Sequence, residues 1–245
     1  LALKDADIGI AMGSGSSASR AAAQIVLLDG RFATMPGVVA EGRRVINNIQ
    51  RVANLFLTKT TYSMLLALSV GVIGFAFPFL PRHLTLVGSL TIGIPAFFLA
   101  LAPNHNRARS GFVPRVLRFA VPAGTLAAIV TLAAYAIAHA NDAVSLDQAR
   151  TVATLTLVST GLCILVRLAR PFNAWRKALV LWMIGLFVAV LLLPPAREFF
   201  ALELPPPYLY ALAAALVAAQ ELVWRAIRGR VLPPGVADGQ DEGDG

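Results

Sequence analysis

The order of apolar and polar positions divides the chain into parts of different character, and the first part reads as soluble α/β sequence. Residues 8–11 and 25–28 are short apolar runs, and polar turns follow them. Between them, residues 18–24 predict a short helix with Ser16 or Ser17 as its N-cap. A strand, a helix and a second strand predict a βαβ unit of a parallel sheet, which needs a larger domain to cover it.

The second part, residues 32–59, has a helical period. Val45, Ile49 and Val52 recur at spacings of four and three, and charged and polar side chains lie between them. The pattern predicts an amphipathic helix, broken or kinked near Pro36, that leads directly into a membrane.

Long apolar runs fill the third part, residues 60–227. Three of the runs have roughly 20 uncharged residues, enough to cross a hydrocarbon core about 30 Å thick, and three are somewhat shorter. The sequence therefore predicts a six-helix transmembrane bundle, with a lipid bilayer as its partner. The predicted spans are residues 60–80, 84–102, 119–138, 151–166, 178–193 and 204–220.

The distribution of charged residues among the loops predicts how the chain is oriented in the membrane. The net charge of +8 comes largely from alternate loops, and because no basic stripe interleaved with aromatic residues accompanies it, nucleic acid is not an expected partner. The positive-inside rule puts these loops and both ends of the chain in the cytoplasm of a multi-pass plasma-membrane protein. Residues 228–245, rich in glycine, proline and acids, predict a disordered acidic cytoplasmic tail. The basic loops contain Arg107, Arg109, Arg115, Arg118, Arg167, Arg170, Arg176, Lys177, Arg225, Arg228 and Arg230.

Two ordered motifs resemble the P-type cation-transporting ATPases, and calcium pumps in particular. Residues 2–32, ALKDADIGIAMGSGSSASRAAAQIVLLDGRF, are similar to the end of the phosphorylation domain of that family. Residues 41–50, EGRRVINNIQ, are similar to the stalk of its fifth membrane helix. The resemblance implies a mostly α membrane protein: a partial α/β, HAD-like phosphorylation domain over residues 1–31, a cytoplasmic stalk helix over 32–59, and membrane helices five to ten over 60–227.

The same resemblance implies that the parent protein is an ATP-driven cation pump with an aspartyl-phosphate intermediate, and that calcium is the first expected cargo. ATP and Mg²⁺ are expected to bind outside these residues. The other parts implied are N-terminal actuator, nucleotide-binding and phosphorylation domains, with helices one to four. The DKTGT and TGDG-x-ND motifs of the family do not occur in the chain. No catalytic, cofactor-binding or resident-metal residue is therefore assigned, and the chain alone is expected to be inactive.

Two alternatives stay open at the level of sequence. One is a P-type pump for another cation, a proton or an organic cation. The other, from a different class, is a non-catalytic membrane scaffold in which the α/β segment is an accessory piece.

The transport path is expected on the first two spans. Aligned from the EGR…NN block, Thr60 and Ser63 fall where calcium pumps carry an asparagine and a glutamate ligand. Gly88 and Ile92 stand in place of the family's N-x-x-x-D pattern. The two spans therefore offer hydroxyls and backbone carbonyls as ligands. Because calcium takes six to eight oxygens that usually include carboxylates, the identity of the transported ion stays open. The predicted path residues are Thr58, Lys59, Thr60, Ser63, Ser89, Thr91 and Pro95.

Ionisable and helix-breaking residues near the path carry paired interpretations. Lys59 either extends to the membrane interface or acts as an internal counter-cation in place of a counter-transported ion. Pro95 frees a carbonyl about one turn earlier, which either lines a cation site or only kinks the helix. Glu221 is predicted to pair with Arg225, one turn on. The histidines are predicted to be solvated in loops or at span ends: His83, His105 and His139.

Overall fold

The structure is a computed structural model that describes residues 2–102 and 111–231 of the chain. It divides the chain into two compact units, Leu1–Val45 and Ile46–Gly245. The first unit contains the predicted α/β elements, and the second contains the apolar bundle.

The first unit forms the predicted βαβ arrangement. Its two strands are parallel, and Ile10 pairs with Ile25. The hydroxyl of Ser16 accepts the N–H of Ser19 at 3.1 Å, so Ser16 is the N-cap of the intervening helix, as expected. Leu28, just after the second strand, is 88% exposed, so apolar surface is left uncovered. The elements are α1 (Ala2–Asp5), β1 (Ile10–Met12), α2 (Ser17–Ala22) and β2 (Ile25–Leu27).

A single long helix follows. After a 3₁₀ turn over Phe32–Thr34, α3 runs without interruption over Met35–Ile73. The predicted break near Pro36 is wrong, because Pro36 lies in the first turn, where the missing N–H would have no helical partner anyway. The helix ends earlier than the predicted residue 80, since Gly74 adopts φ +79°, a left-handed conformation that glycine tolerates.

The remaining described helices complete the membrane part. Six helices of the described residues are long and apolar enough to cross a membrane, as the sequence predicted. The last of them extends to Val231, so residues 228–231 are helical, and the rest of the predicted tail, residues 232–245, lies outside the described residues. The elements are α4 (Pro81–Gly88), a π-helical turn (Ser89–Gly93), α5 (Ile94–Leu101), α6 (Phe112–His139), α7 (Leu146–Leu168), α8 (Ala174–Leu192), α9 (Pro194–Phe200) and α10 (Pro207–Val231).

Helix α7 is the most enclosed of the spans. Its residues Val152 and Leu165 are completely buried. Its neighbours include α6 and α10, and α6 buries a series of alanines such as Ala123 and Ala127. Small residues let membrane helices approach closely, which compensates for the weak hydrophobic drive between helices in lipid.

Two side-chain predictions outside the path are wrong. His83 is completely buried rather than solvated: its Nδ1 accepts the N–H of Leu80 at 3.2 Å, and its Nε2 lies 3.2 Å from the Ala201 carbonyl. Glu221 pairs with Arg167 of α7, not with Arg225 on its own helix, because inter-helix packing brings Arg167 closer. His139 stacks on Tyr135 at the end of α6, and His105 lies outside the described residues.

Candidate functional site

The path residues of α3 lie on two faces of the helix. Thr58 is buried, and its hydroxyl donates to the Asn54 carbonyl at 2.6 Å. Thr60 and Ser63 are exposed, because successive residues turn by about 100° around a helix. The hydroxyl of Thr60 donates to the Phe56 carbonyl at 3.1 Å. The two positions aligned with calcium ligands therefore share a face that the described residues leave uncovered.

The second span contains the π-helical turn, which the sequence did not predict. At its end the N–H of Ile94 donates to the Ser89 carbonyl, one residue further back than in an α-helix. Pro95 is buried and has no N–H, so it donates nothing to the carbonyl of Thr91, its partner in a regular helix. Such π turns occur preferentially at functional sites. The available signal was the clustering of Gly88, Gly93 and Pro95 within one apolar run.

The hydroxyls of this turn differ in environment. Thr91 is buried and donates to the Val87 carbonyl at 2.7 Å, whereas Ser89 is exposed. The turn thus presents one enclosed hydroxyl and one open hydroxyl.

Lys59 reaches from the first span towards the second. Its side chain is half-buried, and its Nζ lies 3.6 Å from the position that a β-carbon would occupy on Gly88. Gly88 is the last residue of α4, immediately before the π-helical turn. The ammonium therefore lies next to the irregular part of the second span. In this arrangement Gly88 provides room for a long cation that a larger residue would restrict.

Two glycines hold the buried hydroxyls in place by close packing. A β-carbon on Gly161 of α7 would lie 2.6 Å from the methyl carbon of Thr91. A β-carbon on Gly124 of α6 would lie 2.8 Å from the Thr58 carbonyl. Neither contact could be predicted from the sequence, because each joins helices that are far apart along the chain.

Asn48 of the EGR…NN block makes a further contact that the motif alone did not suggest. Its side chain is buried, and its Nδ2 donates to the carbonyls of Ala100 at 3.0 Å and Ala102 at 2.7 Å. These carbonyls lie at and just after the end of α5, where helical carbonyls lack partners within the helix. Asn48 thereby ties α3 to the end of the second span.

The oxygen atoms that this site offers to a cation are uncharged, and Lys59 adds a positive charge beside them. Among the described residues, no group of three histidine, cysteine, aspartate or glutamate side chains could hold a metal ion. One buried acceptor lies a turn below Thr58: the Oδ1 of Asn54 has no hydrogen-bond partner. The site therefore offers hydroxyl, amide and backbone oxygens.

Several known proteins are similar to this chain. No protein-family profile matches the chain. The chain is 48% identical over 251 residues to a calcium-transporting ATPase CtpE of Mycolicibacterium smegmatis, covering 95% of the chain and 31% of that relative. It is 51% identical over 249 residues to the protein of the same name from Mycobacterium tuberculosis, with the same coverage. A probable cation-transporting ATPase, exp7, of Streptococcus pneumoniae is 33% identical over 206 residues, 81% of the chain and 26% of that relative.

The chain thus spans less than a third of the length of these curated relatives. It matches the two CtpE relatives over 95% of its own length, and six helices among its described residues are long and apolar enough to cross a membrane. The chain belongs to the P-type cation-transporting ATPases and corresponds to a C-terminal portion of such a protein.

Proposed function

We propose that the chain is the transport and coupling part of an ATP-driven cation pump that carries calcium and works through an aspartyl-phosphate intermediate. The observation that carries the proposal is the π-helical turn of the second span beside Lys59, since π-helical turns within α-helices occur frequently at functional sites. The names of the relatives, calcium-transporting ATPases in two of the three, support calcium as the cargo.

The proposed path uses oxygens from α3 and from the π-helical turn. Thr58, Thr60 and Ser63 contribute from the first span, and Ser89 and Thr91 contribute from the second, together with the Thr91 carbonyl, to which Pro95 cannot donate. Calcium takes six to eight oxygens, usually with carboxylates among them, and these residues supply no carboxylate. We expect the carboxylate to come from helices one to four, which would cover the exposed face that carries Thr60 and Ser63.

Lys59 is proposed to be an internal counter-cation. Its ammonium lies beside Gly88, the residue that directly precedes the π-helical turn. When the cation leaves, the ammonium would occupy the same oxygen-lined region and so replace a counter-transported ion. This role requires the positive charge of Lys59. Unlike a counter-transported ion, the side chain stays attached to the protein.

The division of labour along the chain follows from the family. Residues 1–31 would end the phosphorylation domain, 32–59 would form the stalk, 60–227 the transport domain and 228–245 a cytoplasmic tail. ATP and Mg²⁺ would bind in parts of the protein beyond this chain, together with the actuator and nucleotide-binding domains. The protein would lie in the plasma membrane with both ends of this chain in the cytoplasm.

The test uses the full-length pump in proteoliposomes, with ATP-dependent uptake measured for calcium and for a panel of other cations. Calcium uptake with saturation at low concentration supports the proposal, whereas uptake of another ion alone, or no ATP-dependent transport, contradicts it. The second outcome would favour the scaffold alternative.

A double variant tests whether the path residues take part in that transport. We expect Thr60→Ala with Ser63→Ala to lower the apparent calcium affinity about ten-fold or more, because an oxygen dipole facing a charge contributes on the order of 1.5 kcal/mol. The control is Thr85→Ala in the second span. It removes an exposed hydroxyl that donates to the Pro81 carbonyl. Equal effects of the two variants would exclude Thr60 and Ser63 from the path.

A further inference from the structure

We propose that the turn between α7 and α8 binds the headgroup of an anionic phospholipid. The turn joins the ends of two membrane spans and therefore lies at the membrane surface. Four exposed residues of this turn and of the first turn of α8, called here the headgroup turn, combine two cations with two aromatic rings. They are Arg170, Phe172, Trp175 and Lys177.

Internal hydrogen bonds hold this turn in place. Arg176 is buried, and its Nη1 donates to the Pro171 carbonyl at 2.9 Å. The side chain of Asn173 accepts the N–H of Arg176 at 2.9 Å and so caps α8. Because Arg176 and Asn173 are used internally, the exposed side chains around them are presented from a fixed backbone. The first N–H groups of the 19-residue helix α8 add positive potential at the same place.

Among the described residues of the second unit, the positive charge of the headgroup turn has no acidic partner. The acidic side chains within residues 46–102 and 111–231 are Asp142, Asp147, Glu198, Glu203 and Glu221. The first four lie in or next to the connections at the opposite end of the bundle, and Glu221 pairs with Arg167. Arg170 and Lys177 are both exposed, so a ligand of opposite charge can approach them.

Aromatic rings fix the depth of the turn in the membrane. Trp175 is 41% exposed, and its ring packs edge-on against Phe98 of α5 at 5.1 Å between centroids. The guanidinium carbon of Arg170 lies 5.8 Å from the centre of the Phe172 ring. Tryptophan prefers the boundary between headgroups and acyl chains. Rings at that boundary place the neighbouring cations at the level of lipid phosphates, which favours a lipid over a soluble anion.

The size of the effect follows from the two charges. Each lysine or arginine near an anionic membrane surface contributes on the order of five-fold in binding, and salt weakens this attraction. Loss of both cations should therefore reduce the preference for an anionic over a zwitterionic lipid by about ten-fold or more.

The test reads this preference at Trp175 itself. The full chain is reconstituted with brominated phosphatidylglycerol or brominated phosphatidylcholine in an unlabelled background, and tryptophan quenching gives the relative affinity of the two lipids. Trp182→Phe with Trp224→Phe leaves Trp175 as the reporter. Trp175→Phe with Trp224→Phe leaves Trp182, an exposed residue two turns further along α8, as a reporter of ordinary lipid contact.

We expect selective quenching by the anionic lipid at Trp175 and not at Trp182. Arg170→Gln with Lys177→Gln should abolish the selectivity. Arg118→Gln with Arg225→Gln, two exposed cations on α6 and α10, should preserve it. Equal quenching by the two lipids at Trp175 would overturn the proposal, and so would an equal loss in both double variants. Selectivity that appears only after removal of residues 232–245 would also overturn it, because the acidic tail would then be the occupant. Quenching does not depend on pump activity, so failure here leaves the proposed function untouched.

Discussion

The Nζ of Lys59 lies 3.6 Å from the position of a β-carbon on Gly88, so a cation of the first span faces the end of α4. Both residues are half-buried, and Lys59 stands only a few residues after the polar half of α3. A charge within a membrane span is costly because hydrocarbon solvates it poorly, so an ionisable residue there indicates a functional role.

Lys59→Met in the full-length pump tests that role. If the ammonium acts as an internal counter-cation, the variant should either counter-transport protons or stall after releasing its cation, and the charge moved per ATP should change. Lys59→Arg, which retains the charge, is the control and should keep the original stoichiometry. The measurement is proton flux and current in proteoliposomes during ATP-driven transport. Unchanged counter-ion behaviour in Lys59→Met would rule out the counter-cation role.

Pro95→Ala tests the Thr91 carbonyl, to which Pro95 cannot donate. Alanine would supply an N–H that can donate to the Thr91 carbonyl, so the irregular turn could relax towards a regular helix. We expect the apparent affinity for the transported cation to fall about ten-fold, equivalent to about 1.4 kcal/mol. Pro122→Ala is the matched control, because Pro122 lies inside α6, outside the proposed path. An affinity that is the same in both variants would make Pro95 a packing residue only.

The sequence predicted most of the fold because membrane spans and βαβ units have strong local patterns. Apolar runs of spanning length identified all six spans, and two short apolar runs on either side of a capped helix identified the βαβ unit. Element ends were less accurate where one residue decides them. Gly74 ends α3 in a left-handed conformation, and Pro36 starts the same helix instead of breaking it.

The residues proposed for the path come from the sequence, but their arrangement could not be predicted from it. Thr91 and Ser89 were expected in the path, yet their different exposure depends on how α7 packs against the π-helical turn. The roles of Gly161 and Asn48 arise from contacts between distant segments, which periodicity cannot indicate. His83 was misplaced for the same reason, because the backbone around Ala201 encloses it.

Gly161→Ala tests the packing that positions Thr91. The added methyl group would lie 2.6 Å from the Thr91 methyl carbon, so one helix must shift. Overpacking of this kind costs about 1–3 kcal/mol, and each kcal/mol lowers the melting temperature by roughly 2–4 °C in a protein of this size. Gly185→Ala in α8 is the control, because no atom lies within 4 Å of its β-carbon position. Thermal unfolding in detergent measures both, and equal melting temperatures would contradict the tight contact.

The pair of Arg167 and Glu221 provides the last test, of coupling between α7 and α10. Arg167 also places its guanidinium carbon 4.5 Å from the centre of the Trp224 ring, so the arginine is held by a carboxylate and an aromatic face together. Both side chains are largely buried, with 14% and 26% exposed, and removal of one partner leaves a poorly solvated charge.

A double-mutant cycle of Arg167→Gln and Glu221→Gln should therefore give a coupling energy above about 1 kcal/mol in the unfolding free energy. The matched pair is Arg150 and Asp147, neighbours on α7, whose carboxylate is 48% exposed. Because solvent screens that contact, its cycle should give only about 0.5 kcal/mol. Stabilities measured in detergent for the two cycles decide the point. A coupling at Arg167 and Glu221 no larger than that at Arg150 and Asp147 would mean that helix packing, not the ion pair, joins α7 to α10.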